Sequence, residues 1–345
     1  MRLFRHLVVG VGVLVVSLVV VSSAFATSGL LTVTSDTTLT EDHYGNVWFA
    51  ADSVALDCAG HSVIGPVGWG PWPRVGIAVV GRSHVAIRNC RVERFGHGFS
   101  LSTVDSFSLA GNTSAGNEGS GFVFGWVSNG VVSRNVASGN AWHGFGAQTS
   151  KDILFMGNAA ANNGQNGFVV WTPYPQVSYS TGIRFVGNAS TGNGWDGFQL
   201  NALADGSTLM LNVARNNTHG FMIGSSFNTL VMNEAVSNRY TGFVAAGWPS
   251  PFFQPTVTPA VSNTFKLNLA RRNGVYDAAD FNAPGANTWL NNLFGTTIGI
   301  PVPGSPGSVG ARRRVVAGLC DRDSVERGVE LAVAAAVESV PLALS

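Results

Sequence analysis

Charge is scarce in this chain. Only 11% of its 345 residues are Asp, Glu, Lys or Arg, against about 25% in ordinary domains, and the net charge is +1. Such a composition cannot assemble a concentrated basic face, which argues against a nucleic-acid partner. Cysteine is scarcer still. There are three, with no C-x-x-C pair and no Cys/His metal spacing. The chain has five methionines, and its histidines form no ligand motif, so metal delivery is poorly supported and no metal or cofactor is expected. Ten-residue stretches of 3.6 periodicity are missing, and Gly and Asn are poor helix formers, which excludes a helical solenoid. Beyond the N-terminus there is no long apolar run.

The N-terminus itself reads as a targeting segment. Arg2, Arg5 and His6 make a basic start, residues 7–21 are almost wholly apolar, and Ala24-Phe25-Ala26 has the small-x-small form of a cleavage site. Residues 1–26 are therefore expected to be a signal peptide. The alternative is an uncleaved anchor, for which the run is short. The mature chain is expected to be soluble, away from the membrane, and secreted or periplasmic in the cell envelope.

What the chain has in abundance is glycine, 43 residues of it, and a recurring dipeptide. Gly98-Phe99, Gly121-Phe122, Gly144-Phe145, Gly167-Phe168, Gly197-Phe198, Gly220-Phe221 and Gly242-Phe243 follow one another at steps of 23, 23, 23, 30, 23 and 22 residues. A period in this range marks a stack of similar units. Each unit also carries two asparagines five apart, Asn112/Asn117, Asn135/Asn140, Asn158/Asn163, Asn188/Asn193, Asn212/Asn217, Asn233/Asn238 and Asn268/Asn273. Two residues after the first Asn the side chain is always small: Ser114, Ala137, Ala160, Ser190, Ala214, Ala235, Ala270.

One architecture accounts for all of this: an all-β, single-stranded, right-handed parallel β-helix of roughly eleven coils, about 23 residues each. Strands of successive coils pair in parallel about 4.8 Å apart, so identical positions stack. Phe becomes an aromatic column inside the coil, and Asn becomes ladders at corners, where it tolerates a left-handed backbone and bonds to the Asn above and below. Gly before Phe is expected to supply a turn. A β-propeller repeats at nearly twice this period. The helix is expected to fill residues 27–300. Residues 301–345 then form a Pro/Gly/Ser linker and a tail outside the repeat, containing Arg312-Arg313-Arg314 and an Ala/Val/Glu-rich stretch, helical or disordered.

The repeat resembles that of the pectate-lyase-like superfamily, and within it the generic parallel β-helix repeat group, over about residues 47–295. Leu56-Asp57-Cys58-Ala59-Gly60-His61-Ser62-Val63-Ile64-Gly65 looks like that group's opening coil. The periplasmic β-helix proteins that assist copper insertion into nitrous oxide reductase share the pattern. The resemblance implies the fold; its members include lyases, hydrolases, epimerases, tailspikes and adhesins, so it does not choose a function. Gly96-His97-Gly98 is similar to an element of the polygalacturonases, but their upstream Asn-Thr-Asp and Asp-Asp elements and downstream Arg-x-Lys are missing. The Asp-Pro-His-Asp motif of mannuronan epimerases and the Arg base with clustered calcium-binding Asp of pectate lyases are missing too.

Three features stand out against the repeat. Cys58 and Cys90 lie about one long repeat apart, so stacking could join them in a disulfide; two buried thiols are the alternative. The residues before each Gly-Phe, His97, Ser120, His143, Asn166, Asp196, His219 and Thr241, should share one edge. There Asp196 and His219 fall on adjacent coils, and a carboxylate beside an imidazole can orient a general base. Gln199 and Asn201 neighbour Asp196, and their side chains are expected to point outward on the same strand and to bind substrate. The alternative is a polar corner column of the kind any solenoid has, and no second carboxylate completes a glycosidase pair. Finally, two coils carry insertions rich in Pro and aromatics, residues 171–179 with Trp171 and Tyr174, and residues 248–255 with Trp248 and Phe252. A third such stretch is Trp69-Gly70-Pro71-Trp72-Pro73. Exposed rings suit the apolar faces of sugars, so these loops are expected either to contact a polysaccharide lying along the coil axis or to cover the helix flank. The expected function is polysaccharide binding, with a lyase, epimerase or hydrolase acting near Asp196 and His219 as the alternative, and periplasmic metal insertion as a weaker one.

Overall fold

Short strands alternate with single residues in the left-handed backbone region, and that alternation bends the chain into a coil. A computed structural model describes residues 26–65, 74–172, 179–249 and 257–300. Residues 1–25, the stretch around Trp69, the loop positions Tyr174 and Phe252, and the tail 301–345 lie outside the described residues. Among the described residues every regular element is a strand. Apart from one short antiparallel pair, Trp248–Pro249 with Val257–Thr258, the strands form three parallel sheets, two of twelve strands and one of eleven, and each of these takes every third of the remaining strands. One coil therefore contributes a strand to each sheet, for example Thr113–Ala115 to the first, Phe122–Gly125 to the second and Ser128–Ser133 to the third. The first described strand is Thr27–Ser28 and the last Thr297–Ile298.

Register is exact from coil to coil, with Phe99 opposite Phe122, Phe122 opposite Phe145 and so on to Phe243. The seven rings stack inside the helix with centroids 4.5 to 4.9 Å apart and planes within 9°. Each is at most 1% exposed. Burial of one such ring is worth about 2–3 kcal/mol. Across the narrow interior, on the first sheet, the small residues pair in a column from Ser114 to Ala270. The last coil exchanges the two roles. Ala278 takes the Phe position and Phe294 the small position, and the Phe294 ring turns onto Phe243 at 5.6 Å. At this last described coil the large side chain thus stands on the opposite wall and packs against the core.

Two sequence expectations need correction. The ladder asparagines are not the left-handed residues. Positive φ falls on the residue before each, such as Gly111, Arg134, Gly157 and Leu211 before Asn112, Asn135, Asn158 and Asn212. The bend turns the Asn side chain inward, where it is at most 3% exposed from Asn112 to Asn238. There the oxygen of each Asn accepts the backbone and amide N–H of the Asn one coil earlier, as in Asn112 to Asn135 at 2.9 Å each. Its NH2 also donates to a backbone carbonyl, in Asn112 that of Ile87 at 2.9 Å. The glycine before Phe is likewise no turn residue: its φ is not positive. It is needed for close approach. A Cβ on Gly144 would stand 2.7 Å from the Gly167 carbonyl and 2.9 Å from the Ala160 methyl.

The ladders run in one sense, so each ends on an NH2 that needs an acceptor. In the second ladder Asn273 gives it to the Asp277 carboxylate at 2.8 Å. Asn287, ending a third ladder through Asn228 and Asn263, gives it to Asp280 at 3.1 Å. At the other end of the helix the sulfurs of Cys58 and Cys90 form a disulfide.

Candidate functional site

The corner between the first and second sheets carries the polar column. Backbone bonds from each Gly of Gly-Phe to the residue before the next one place Ser120, His143, Asn166, Asp196, His219 and Thr241 in line, with His97 at the head. The outward side chains then differ coil by coil. His97 Nδ1 accepts the Ser120 backbone N–H at 2.9 Å, and His143 Nδ1 accepts that of Asn166 at 3.3 Å. A backbone N–H can only donate, so in both rings the proton is on Nε2. Burial pushes the His97 imidazole below its usual range and the His143 imidazole down to about 4. Both rings are thus uncharged donors at neutral pH.

His219 is the opposite case. Its Nδ1 lies 2.8 Å from Asp196 Oδ1. Against a carboxylate oxygen the nitrogen donates, so the neutral ring keeps its lone pair on Nε2. Asp196 is 6% exposed, and its backbone N–H is held by Asn166 Oδ1 at 2.9 Å. The Asn166 NH2 goes to Gln199 Oε1 at 2.7 Å. Gln199 is thereby buried and bonded to its neighbour coil, while Asn201 Oδ1 is buried with no hydrogen-bond partner among the described residues. Asp196, His219, Asn166 and Gln199 form one connected group; Asn201 stands beyond it on the same coil.

Rings surround this strip. Trp171 lies over Gly146, where a Cβ would come 2.9 Å from the indole, and its ring reaches His143 at 6.0 Å. Further out on the corner stands a column that sequence reasoning missed. Backbone bonds link Gly119, Trp142, Gln165, Trp195, Thr218 and Tyr240 in succession. Trp142, Trp195 and Tyr240 are 50%, 52% and 41% exposed. They touch the inner column, Trp142 on His97 at 5.6 Å, Trp195 on His143 at 6.5 Å and Tyr240 on His219 at 5.6 Å. Every second coil carries a ring, an interval of about 10 Å along the axis. The sequence held a signal for them: each stands two residues after the second Asn of its unit. Nothing is described of the Trp248 side chain, and Tyr174 and Phe252 lie outside the described residues. Among the described residues no group of three His, Cys, Asp or Glu is placed to hold a metal ion.

The model of the right-handed β-helix region matches residues 68–171. The fold is a right-handed parallel β-helix. Solved structures of the same fold include the periplasmic alginate epimerase AlgG, 13% identical, with 77% of this chain and 76% of that chain covered and a TM-score of 0.59. The A-module of the Azotobacter vinelandii mannuronan C-5 epimerase AlgE4 is 16% identical over 83% of this chain and 90% of its own, with a TM-score of 0.58. The catalytic unit of a GH87 alpha-1,3-glucanase from Streptomyces thermodiastaticus is 15% identical over 78% of this chain and 61% of its own, at 0.50. Among curated proteins none matches the chain in sequence.

Proposed function

We propose that this protein is exported and binds a polysaccharide laid along the coil axis, over the corner between the first and second sheets. The observation that carries this reading is the outer column of Trp142, Trp195 and Tyr240, half-exposed rings at a constant two-coil interval. An extended glycan advances by about two sugar residues over that distance, about 10 Å, so every ring can meet the apolar face of an equivalent sugar. Beside the rings, His97 and His143 offer Nε2–H donors to hydroxyl groups. Named polysaccharide epimerases and a glucanase share the fold. Trp171 lies beside the strip and is read as extending the contact; Tyr174, Trp248 and Phe252 are further binding candidates from the sequence alone. Retention on immobilised glycans tests this: Trp195→Ala and Trp171→Ala should weaken it, and absence of retention on every glycan would sink the reading. Export rests on residues 1–26; the mature N-terminus is expected at Thr27 and is read by mass spectrometry.

A second reading is favoured by one observation, the 2.8 Å pair of His219 and Asp196. With Nδ1 turned to Asp196, which fixes the ring, His219 directs Nε2 to take a proton from a bound sugar in a lyase, epimerase or hydrolase reaction. His219→Ala should then abolish turnover while leaving glycan retention in place. Equal product formation by the variant would remove this reading.

A further inference from the structure

Resting on the binding reading above, we propose that the glycan held at this corner is a neutral hexose polymer and not a uronate or sulfated chain. Over the four coils from Trp142 to His219, the residues forming the corner and the strand of the second sheet are 141–148, 164–171, 194–201 and 218–224. None of them is Lys or Arg. The stretches 173–178 and 250–256 also contain no charged residue in the sequence. The one carboxylate on the strip, Asp196, is committed to His219. A polyuronate would bring a carboxylate with every sugar against a strip whose described residues include no Lys or Arg, and each anion partly desolvated there without a partner is unfavourable.

His97 and His143 do not supply the missing charge, and His219 is committed to Asp196. His97 and His143 give their Nδ1 lone pairs to backbone N–H groups and sit against Trp142, Trp171 and Trp195. The same packing keeps the imidazolium form unfavourable. The cations of this part of the helix are placed elsewhere. Arg215 and Arg271 share Glu234 on the first sheet at 2.9 and 3.1 Å, and Lys151 and Arg184 are on the third sheet; Arg239 lies on the Tyr240 ring at 5.3 Å, at the end of the ring column and outside the Trp142–His219 segment on which the neutral assignment rests. What the strip presents is apolar rings with uncharged donors and acceptors between them, the complement of a sugar chain bearing only hydroxyl groups.

The test is affinity electrophoresis of the whole protein against soluble neutral glucans and mannans, alginate and polygalacturonate, at low and high salt and with or without calcium. Retardation by a neutral glycan, unchanged between about 0.05 and 0.5 M salt, and roughly tenfold weaker in Trp142→Ala and in Trp195→Ala, supports the proposal. Circular dichroism confirms that these surface variants keep the strand signal. Preferential retardation by a uronate, weakened by salt or requiring calcium, overturns the neutral assignment and leaves polysaccharide binding standing. No retardation by any glycan overturns both. Binding of a neutral glycan that both tryptophan variants retain in full overturns the placement at this corner.

Discussion

Replacing Asn158 is the most direct probe of what holds the coils together. Its oxygen accepts the Asn135 backbone N–H at 2.9 Å and the Asn135 amide at 3.1 Å, and its NH2 donates to the Val132 carbonyl at 2.7 Å and the Asn188 oxygen at 2.9 Å. The side chain is 1% exposed, so water cannot substitute. Asn158→Ala leaves two N–H groups of Asn135 buried without acceptors, at about 1–3 kcal/mol each, for a total of about 2–6 kcal/mol. Asn158→Asp keeps the accepting oxygen but turns both donations into oxygen–oxygen contacts and places a charge in the interior. It should therefore cost more than the alanine, although it is nearly isosteric. Urea unfolding followed by circular dichroism reads both values. A loss under about 1 kcal/mol for the alanine, or a milder effect for the aspartate, would refute the ladder as a source of stability.

Other expectations follow from particular positions. His143 is held near 4 against an ordinary 6.5, so the unfolded chain takes up its proton first as pH falls. The contribution is complete above about 6.5 and declines down to about 4, with His97 adding in the same direction; His143→Asn should flatten that part of the stability profile, measured by thermal unfolding. Gly144→Ala should cost about 1–3 kcal/mol because its Cβ meets the next coil at 2.7 Å, whereas Gly139→Ala, with φ +62 and open space around it, should carry only backbone strain of about 1–2 kcal/mol; melting temperatures compare the two. Reducing the Cys58–Cys90 disulfide, which closes a separation of 32 residues, should lower stability by about 3–4 kcal/mol, and hydrogen exchange should place the loosening in the coils nearest to it.

The fold was legible because a period fixes register. Once Gly-Phe, the paired asparagines and the small residue were aligned, the aromatic stack and the ladders were consequences of parallel pairing. What the alignment could not show was which residue takes the left-handed backbone. That position is filled by Gly, Arg, Leu, Met, Asn and Ser in different coils, so no residue type marks it, and the conspicuous Asn beside it was credited instead. The glycine before Phe misled in a similar way: glycine serves turns and close approaches alike, and only the neighbouring coil tells them apart. At the candidate site, the adjacency of Asp196 and His219 follows from the same register. Trp142, Trp195 and Tyr240 are hard to see in the sequence because Gln165 and Thr218 occupy the intervening rungs and hide the alternation.

The carboxylates that end the ladders bear on how this molecule meets its own copies. A β-helix exposes at its last coil a complete set of strand edges, the geometry from which stacked filaments grow. Growth from that end would require the first ladder residue of another molecule to place a carbonyl oxygen where Asp277 already accepts from Asn273, Gly295 and Thr296. Asp280, engaged by Asn287 and Trp289, stands at the corresponding place in the third ladder. An oxygen cannot bond to an oxygen, and two of the columns that would propagate the stack are already terminated. Within the described residues, the repeat that makes the coil easy to extend thus has two of its ladders closed by acidic side chains of the same chain.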